Sequence, residues 1–213
     1  DLVPLMLANY GLAVALVARR RATGVADRPL LTAGLALNLL VLGYFKYTNF
    51  LIDSVNRAAG AGWHVGAIVL PLGISFFIFQ KIAFLVDAAE GRLGEQLDLL
   101  DYCLFVSFFP QLIAGPIVHH SEVLPQFRVL GQPPRPPAAQ ALTIFAIGLA
   151  KKVLLADAAA PIATAAFTSA SSGTLDAAHA WLGTLAYTVQ LYFDFSGYTD
   201  MAIGAALLFG VRL

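Results

Sequence analysis

Long uncharged runs alternate with short polar connectors along this chain. Leu2–Ala18 gives way to the basic cluster RRRATGVADR, and Pro29–Phe45 continues past Lys46 to Ile52. Ala58–Gln80 runs on past Lys81 to Val86, and Tyr102–Val118 is the fourth run. Ala138–Ala156, broken by Lys151 and Lys152, is the fifth; Ala158–Ala170 is weaker, and Ala177–Val211 holds one span and part of another. A helix needs about 20 apolar residues to cross the hydrocarbon, so the pattern predicts an all-α, polytopic membrane protein. About six to eight membrane helices or half-helices fit, because several runs are short or interrupted. A β-barrel would need short alternating segments, and the runs are long and unbroken instead. Residues 1–213 read as a single membrane domain. The start at Asp1 and the stop after FGVRL read as the ends of an internal piece of a longer protein.

Composition points the same way. Charged residues make up 12% of the chain and hydrophobic ones 59%, against about a quarter charged in a soluble domain. Thirteen acids balance thirteen bases, so no field favours a nucleic-acid partner. The one cysteine, Cys103, excludes an internal disulfide and any multi-cysteine metal site, and no metal is predicted. Arg19, Arg20, Arg21 and Arg28 lie in a short loop beside two spans, which places that loop in the cytoplasm. The segment 87–101 is mostly acidic and says little about orientation. GQPPRPP at 131–137 is a proline-rich connector that cannot span.

Polar residues inside the apolar runs are the candidate chemistry. Asp194 and Asp200 are the only charges between Ala177 and Val211. An aspartate at mid-membrane costs about 2.5–3.5 kcal/mol on insertion scales, so an idle one tends to be lost. On a helix, Tyr192, Ser196, Thr199 and Asp200 share one side, while Asp194 and Tyr198 fall about 120° further round. Either protein surrounds the segment, or Ser196–Gly197 interrupts it and the freed backbone lines a cavity. As simple struts, both aspartates would hydrogen-bond neighbouring helices. In SFFPQLIAGPIVHHSEVLPQF, Pro110 and Pro116 bracket Gln111, an amide that needs partners at that depth. His119 and His120 follow; either could serve as a general base, but the local sequence offers no orienting acid, which favours a solvated interfacial pair. Lys81, Lys151 and Lys152 read as snorkelling side chains, the last two alternatively touching lipid phosphates. His64 and His179 stand alone as span-end residues.

Five stretches together resemble the membrane-bound O-acyltransferase family, in its bacterial branch that O-acetylates alginate and similar exopolysaccharides. They are LGYFKYTNF (42–50), LPLGISFFIFQ (70–80), FFPQLIAGPI (108–117), GLAKKVLLAD (148–157) and YFDFSGYTDMAIG (192–204). The one small departure is Thr199, where serine is expected. The resemblance implies a multi-helix fold pierced by a funnel, in the bacterial inner membrane. An acetyl group would pass from a cytoplasmic donor to hydroxyls of an extracytoplasmic polysaccharide, or to a periplasmic partner protein. Acetyl-CoA or another acyl donor would be a substrate, with no bound cofactor; membrane lipids would surround the protein. Gln111, Tyr192, Asp194, Ser196, Tyr198 and Asp200 would belong to the funnel wall. The family's catalytic histidine is expected in a Trp-His segment after the motif that ends this chain, leaving His119 and His120 as the candidates within it. A multi-pass transporter or channel is the competing class, since broken helices with acids also coordinate ions. A scaffold subunit of an export complex is a further alternative.

Overall fold

The structure, a computed structural model, describes residues 3–63, 66, 68–93, 97–112, 115–116, 118–129 and 137–213. Every regular element among these residues is helical: α1 (Val3–Thr23), α2 (Arg28–Ala59), α3 (Ile74–Glu90), α4 (Leu99–Ser107), α5 (Phe109–Leu112), α6 (His120–Phe127), α7 (Ala138–Ala150), a π-helical segment (Lys151–Ala156), α8 (Asp157–Ser171) and α9 (Ala177–Leu208). Contacts divide the chain into two units, Asp1–Ile113 with Ile117–Leu124, and Ala114–Pro116 with Pro125–Leu213.

The first unit is built on α3, which packs against α1, α2 and α4. Its buried residues include Phe77, Ile78, Phe84 and Leu85, but also Gln80, Lys81 and Asp87. The run read as Ala58–Val86 is not one span. α2 ends at Ala59 with Gly60 in the left-handed conformation, and a helix resumes only after Gly73, also left-handed at φ 70°. These two glycines stop and restart the helix, since an L side chain is strained at such φ values. The fourth run is likewise divided: Phe108 is extended at ψ 100° and separates α4 from α5. Pro110 then sits in the first turn of α5, where its missing N–H costs nothing. Two amides buried in apolar helices pair across α1 and α2. Asn38 Nδ2 donates to Asn9 Oδ1 at 2.6 Å and Asn9 Nδ2 returns a bond at 3.2 Å. Each amide also donates to its own helix, at Leu5 O and Gly34 O, so the buried donors are satisfied.

The second unit is an antiparallel hairpin. α7, the π segment and α8 run as one continuous helix, Ala138–Ser171, which joins the two stretches read separately in the sequence. α9 packs back along its whole length. Its N-cap is Asp176, whose carboxylate accepts from the His179 N–H at 2.8 Å. α9 is unbroken at Ser196–Gly197, so the expected interruption does not occur. Gly197 serves close approach instead. A Cβ on Gly148 would lie 2.5 Å from Gly197 O, and a Cβ on Gly197 would lie 2.7 Å from Gly148 O. One heptad along, a Cβ on Gly204 would sit 2.7 Å from both Ala141 O and Phe145 N. Small residues seven apart on each helix thus bring the backbones together, as in small-residue packing within membranes. Among the described residues, Arg28–Ala59 and Ala138–Ser171 are long and apolar enough to cross a membrane.

Candidate functional site

In the second unit the two aspartates of α9 meet the two lysines of the π segment. Lys151 Nζ lies 2.5 Å from Asp200 Oδ2 and donates to Ser196 Oγ at 3.2 Å. Lys152 Nζ lies 2.7 Å from Asp194 Oδ1 and 2.6 Å from Asp157 Oδ1. Gly197 lies between the pairs, its missing side chain bordered by Lys152 N at 3.0 Å and Lys151 Cβ at 3.3 Å. The local widening of a π turn changes where successive side chains project. Here it lets adjacent lysines straddle one glycine and reach carboxylates on both flanks of α9. Lys151 and Lys152 therefore neither snorkel nor stand free for lipid phosphates. The attraction of a carboxylate within hydrogen-bond reach outweighs a long excursion to the interface.

The seam remains open. Side-chain exposure is 30% at Lys151, 25% at Asp200, 38% at Lys152 and 53% at Asp194. Three carboxylates share two ammonium groups there. Tyr192 is 65% exposed on the same helix, its ring edge-on to Phe193 at 5.1 Å. Tyr198 is half-buried. A polar strip of this kind, set among exposed Leu185, Val189, Leu191 and Phe195, is costly against lipid tails and suits water or a polar ligand.

In the first unit the local sequence offers His119 and His120 no orienting acid, but the fold supplies one from α3. Both Nδ1 atoms approach Asp87 Oδ2, at 3.3 Å from His119 and 3.1 Å from His120, and Arg92 Nη1 donates to Asp87 Oδ1 at 3.2 Å. A carboxylate oxygen only accepts, so both imidazoles carry their proton on Nδ1. Asp87 and His120 are buried, with side-chain exposures of 3% and 7%, whereas His119 is 56% exposed. Phe84 packs edge-on against the His120 ring. Burial pushes the His120 pKa below the usual imidazole value, against the opposing pull of Asp87. His120 is thus held from several sides, while His119 presents its other nitrogen outward. Gln80, Phe105 and Val118 complete the small cleft beside them.

Gln111 is buried in the first unit, and its Oε1 has no hydrogen-bond partner among the described residues. Lys81 does not snorkel: it is fully buried, with Nζ over the Phe77 ring and donating to Phe77 O at 3.3 Å. Its position on the most enclosed helix leaves no path to the interface. His179 does not stand alone, since its Nδ1 lies 2.7 Å from Asp176 Oδ2. His64 and positions 131–136 of the proline-rich connector lie outside the described residues. The Asp87 hub and the Asn9–Asn38 pair were missed in the sequence. Their signals were a carboxylate closing an apolar run and single amides within apolar runs.

Comparison with known proteins gives these arrangements a context. The membrane-bound O-acyltransferase family matches residues 30–213. A probable alginate O-acetylase of Azotobacter vinelandii is 42% identical over 96% of this chain and 41% of its own length. A peptidoglycan O-acetyltransferase of Helicobacter pylori is 40% identical over 99% of this chain and 45% of its own. A teichoic acid D-alanyltransferase of Bacillus subtilis is 27% identical over 66% of this chain and 36% of its own. The chain thus spans about two fifths of the length of the first two relatives. With a family match over most of its length and relatives at this identity, the chain belongs to the membrane-bound O-acyltransferase family.

Proposed function

We propose that the protein is a multi-pass O-acyltransferase of the bacterial inner membrane, with about six to eight membrane helices or half-helices. It moves an acetyl group from a cytoplasmic donor, acetyl-CoA or another activated acyl carrier, to hydroxyls of an extracytoplasmic polysaccharide or to a periplasmic partner protein. The named activities of the relatives support the reaction class: O-acetylation of alginate, O-acetyl transfer to peptidoglycan and D-alanyl transfer to teichoic acid.

One observation within the chain carries the reading: the half-exposed ion-pair seam between the π segment and α9. Charged groups in apolar helices that keep a quarter to half of their surface open are suited to a polar cavity. Asp194, Asp200, Ser196, Tyr192 and Tyr198 form the α9 wall of that cavity in this account; in the first unit, Gln111 is the further polar residue of the proposed path. Acyl transfer to a hydroxyl needs a base for the hydroxyl proton and donors for the developing oxyanion. The lysine ammonium groups supply positive charge of the required kind. Within the first unit, taken by itself, His119 is the candidate proton acceptor, and His120 fixes Asp87. A transporter would use a discontinuous helix to coordinate its ion, and α9 is continuous through Ser196–Gly197.

The test is acetyl transfer by the full chain in membrane vesicles, with labelled acetyl donor on one side and polysaccharide acceptor on the other. Label accumulating on the acceptor is expected. Solute flux without covalent label would sink the transferase reading in favour of transport.

A further inference from the structure

The basic last turn of α1, rather than a loop after it, borders a cavity that the transferase reading does not use. The cavity, of about 270 Å³, is lined by Val17, Arg20, Arg21, Gly24, Gly91 and Leu93. Arg20 is fixed at its wall: Nη1 donates to Ala89 O at 2.7 Å, at the C-terminus of α3. A guanidinium carries five N–H donors in a planar fork, so one bond to a carbonyl orients it and leaves donor capacity for a ligand. Gly91 makes this placement possible. It holds φ 75°, and a Cβ there would collide with Arg20 Nε. The local charge is strongly positive: residues 19–28 hold Arg19, Arg20, Arg21 and Arg28 against Asp27 alone, a net +3 from four minus one. Asp27 is already engaged by Arg19 at 2.7 Å and caps α2 through Leu30 N. Asp87 and Glu90, in the last turn of α3, both pair with Arg92.

We propose that this cavity binds a phosphate ester, most readily the headgroup phosphate of an anionic phospholipid, between Arg20 and Arg21. Guanidinium forks match phosphate oxygens, and basic pockets between membrane helices on the cytoplasmic side take anionic headgroups. Val17 and Leu93 give the cavity an apolar wall as well, which suits the glycerol and first acyl carbons of a lipid better than a free ion. The exposed C-terminal carbonyls of α3 would repel an anion; Arg20, Gly91 N–H and Arg92 N–H occupy Ala89, Ala88 and Asp87 carbonyls and blunt that effect. The site stands independently of the transferase reading.

The test uses the full chain in a non-ionic detergent, titrated with short-chain phosphatidylglycerol, phosphatidylcholine or coenzyme A, and bound ligand counted by native mass spectrometry. Phosphatidylglycerol should bind more tightly than phosphatidylcholine. Arg20→Gln should weaken it about fivefold and the double change with Arg21→Gln about 25-fold, from about 1 kcal/mol per basic residue near an anionic surface. Arg20→Lys keeps the charge, and a loss there as well would mark the planar fork. Arg57→Gln, about 40 Å along α2 from Arg28, should change nothing. Displacement of phosphatidylglycerol by coenzyme A keeps the phosphate site and assigns it to a soluble ester. Wild-type phosphatidylglycerol affinity in the double variant overturns the proposal, as does equal binding of the two lipids by the wild type.

Discussion

The two ionic clusters of this chain differ in how completely they are closed. Around Asp87 two imidazoles and a guanidinium converge on one carboxylate that is almost wholly buried. Along α9 the lysine–aspartate pairs are close but open, and they rest on glycines that let two backbones touch. The buried Asp87–His120 contact is expensive to disturb, because removing one partner strands the other away from water. An open cluster can lose a partner to water or to a ligand at little cost in stability. In the proposed function the open seam along α9 is the arrangement that is used.

Asp87→Asn should therefore give the largest loss of stability. It replaces the common acceptor of three donors by an amide, and removing one partner of a buried charged group costs about 3–5 kcal/mol. The measurement is thermal unfolding and monodisperse yield in detergent; a variant as stable as wild type would show the cluster to be dispensable. The same region should give the pH dependence. Burial lowers the His120 pKa in the folded state, so folding is favoured above the ordinary imidazole value of about 6.5. That contribution is lost as pH falls through the lower, folded value. Wild type should lose melting temperature on acidification below about pH 6.5, and His120→Gln should flatten the slope. An identical slope in both proteins would remove His120 from the explanation.

Gly148→Ala comes next. Its new Cβ would press on Gly197 O and on Met201 N, 2.7 Å away. Overpacking of this kind costs about 1–3 kcal/mol, and backbone atoms cannot step aside as a flexible side chain does. Gly11→Ala is the control: nothing lies within 4 Å of its Cβ, so only helix propensity changes, in the stabilising direction. If both substitutions are equally tolerated, the close backbone seam is not what joins α7 to α9.

Sequence and structure agree most where a single segment carries the signal. The uncharged runs located α1 and α2 and their starts to within one residue, though α1 runs on from Ala18 to Thr23 and α2 from Ile52 to Ala59; two charges in an apolar run marked Asp194 and Asp200 as unusual. Where helices stop was only partly legible. Pro71 and Gly73, helix breakers by residue type, stand just before α3, whereas the left-handed turn at Gly60 lay hidden in a continuous apolar stretch. The union of 138–171 was masked by Asp157, which separated the fifth run from Ala158–Ala170, and by Lys151 and Lys152, which read as snorkelling side chains. In the fold they lie mid-helix because carboxylates from α9 compensate them. The Asp87–His119–His120 cluster was beyond local reading, since its members lie 32 and 33 residues apart. A carboxylate at the end of an apolar run has no visible partner until the chain folds back.

The smallest expected change in stability, within about 1 kcal/mol for a half-exposed pair, carries the central claim. Asp194→Asn and Asp200→Asn, made separately in the full chain, should leave folded yield and detergent stability close to wild type. Acetyl transfer per folded molecule should nevertheless fall at least about tenfold, the equivalent of about 1.4 kcal/mol of transition-state stabilisation. Both quantities are to be measured on the same preparations. Reduced folded yield with unchanged specific activity would contradict the account, and would make the α9 seam a strut like the cluster around Asp87.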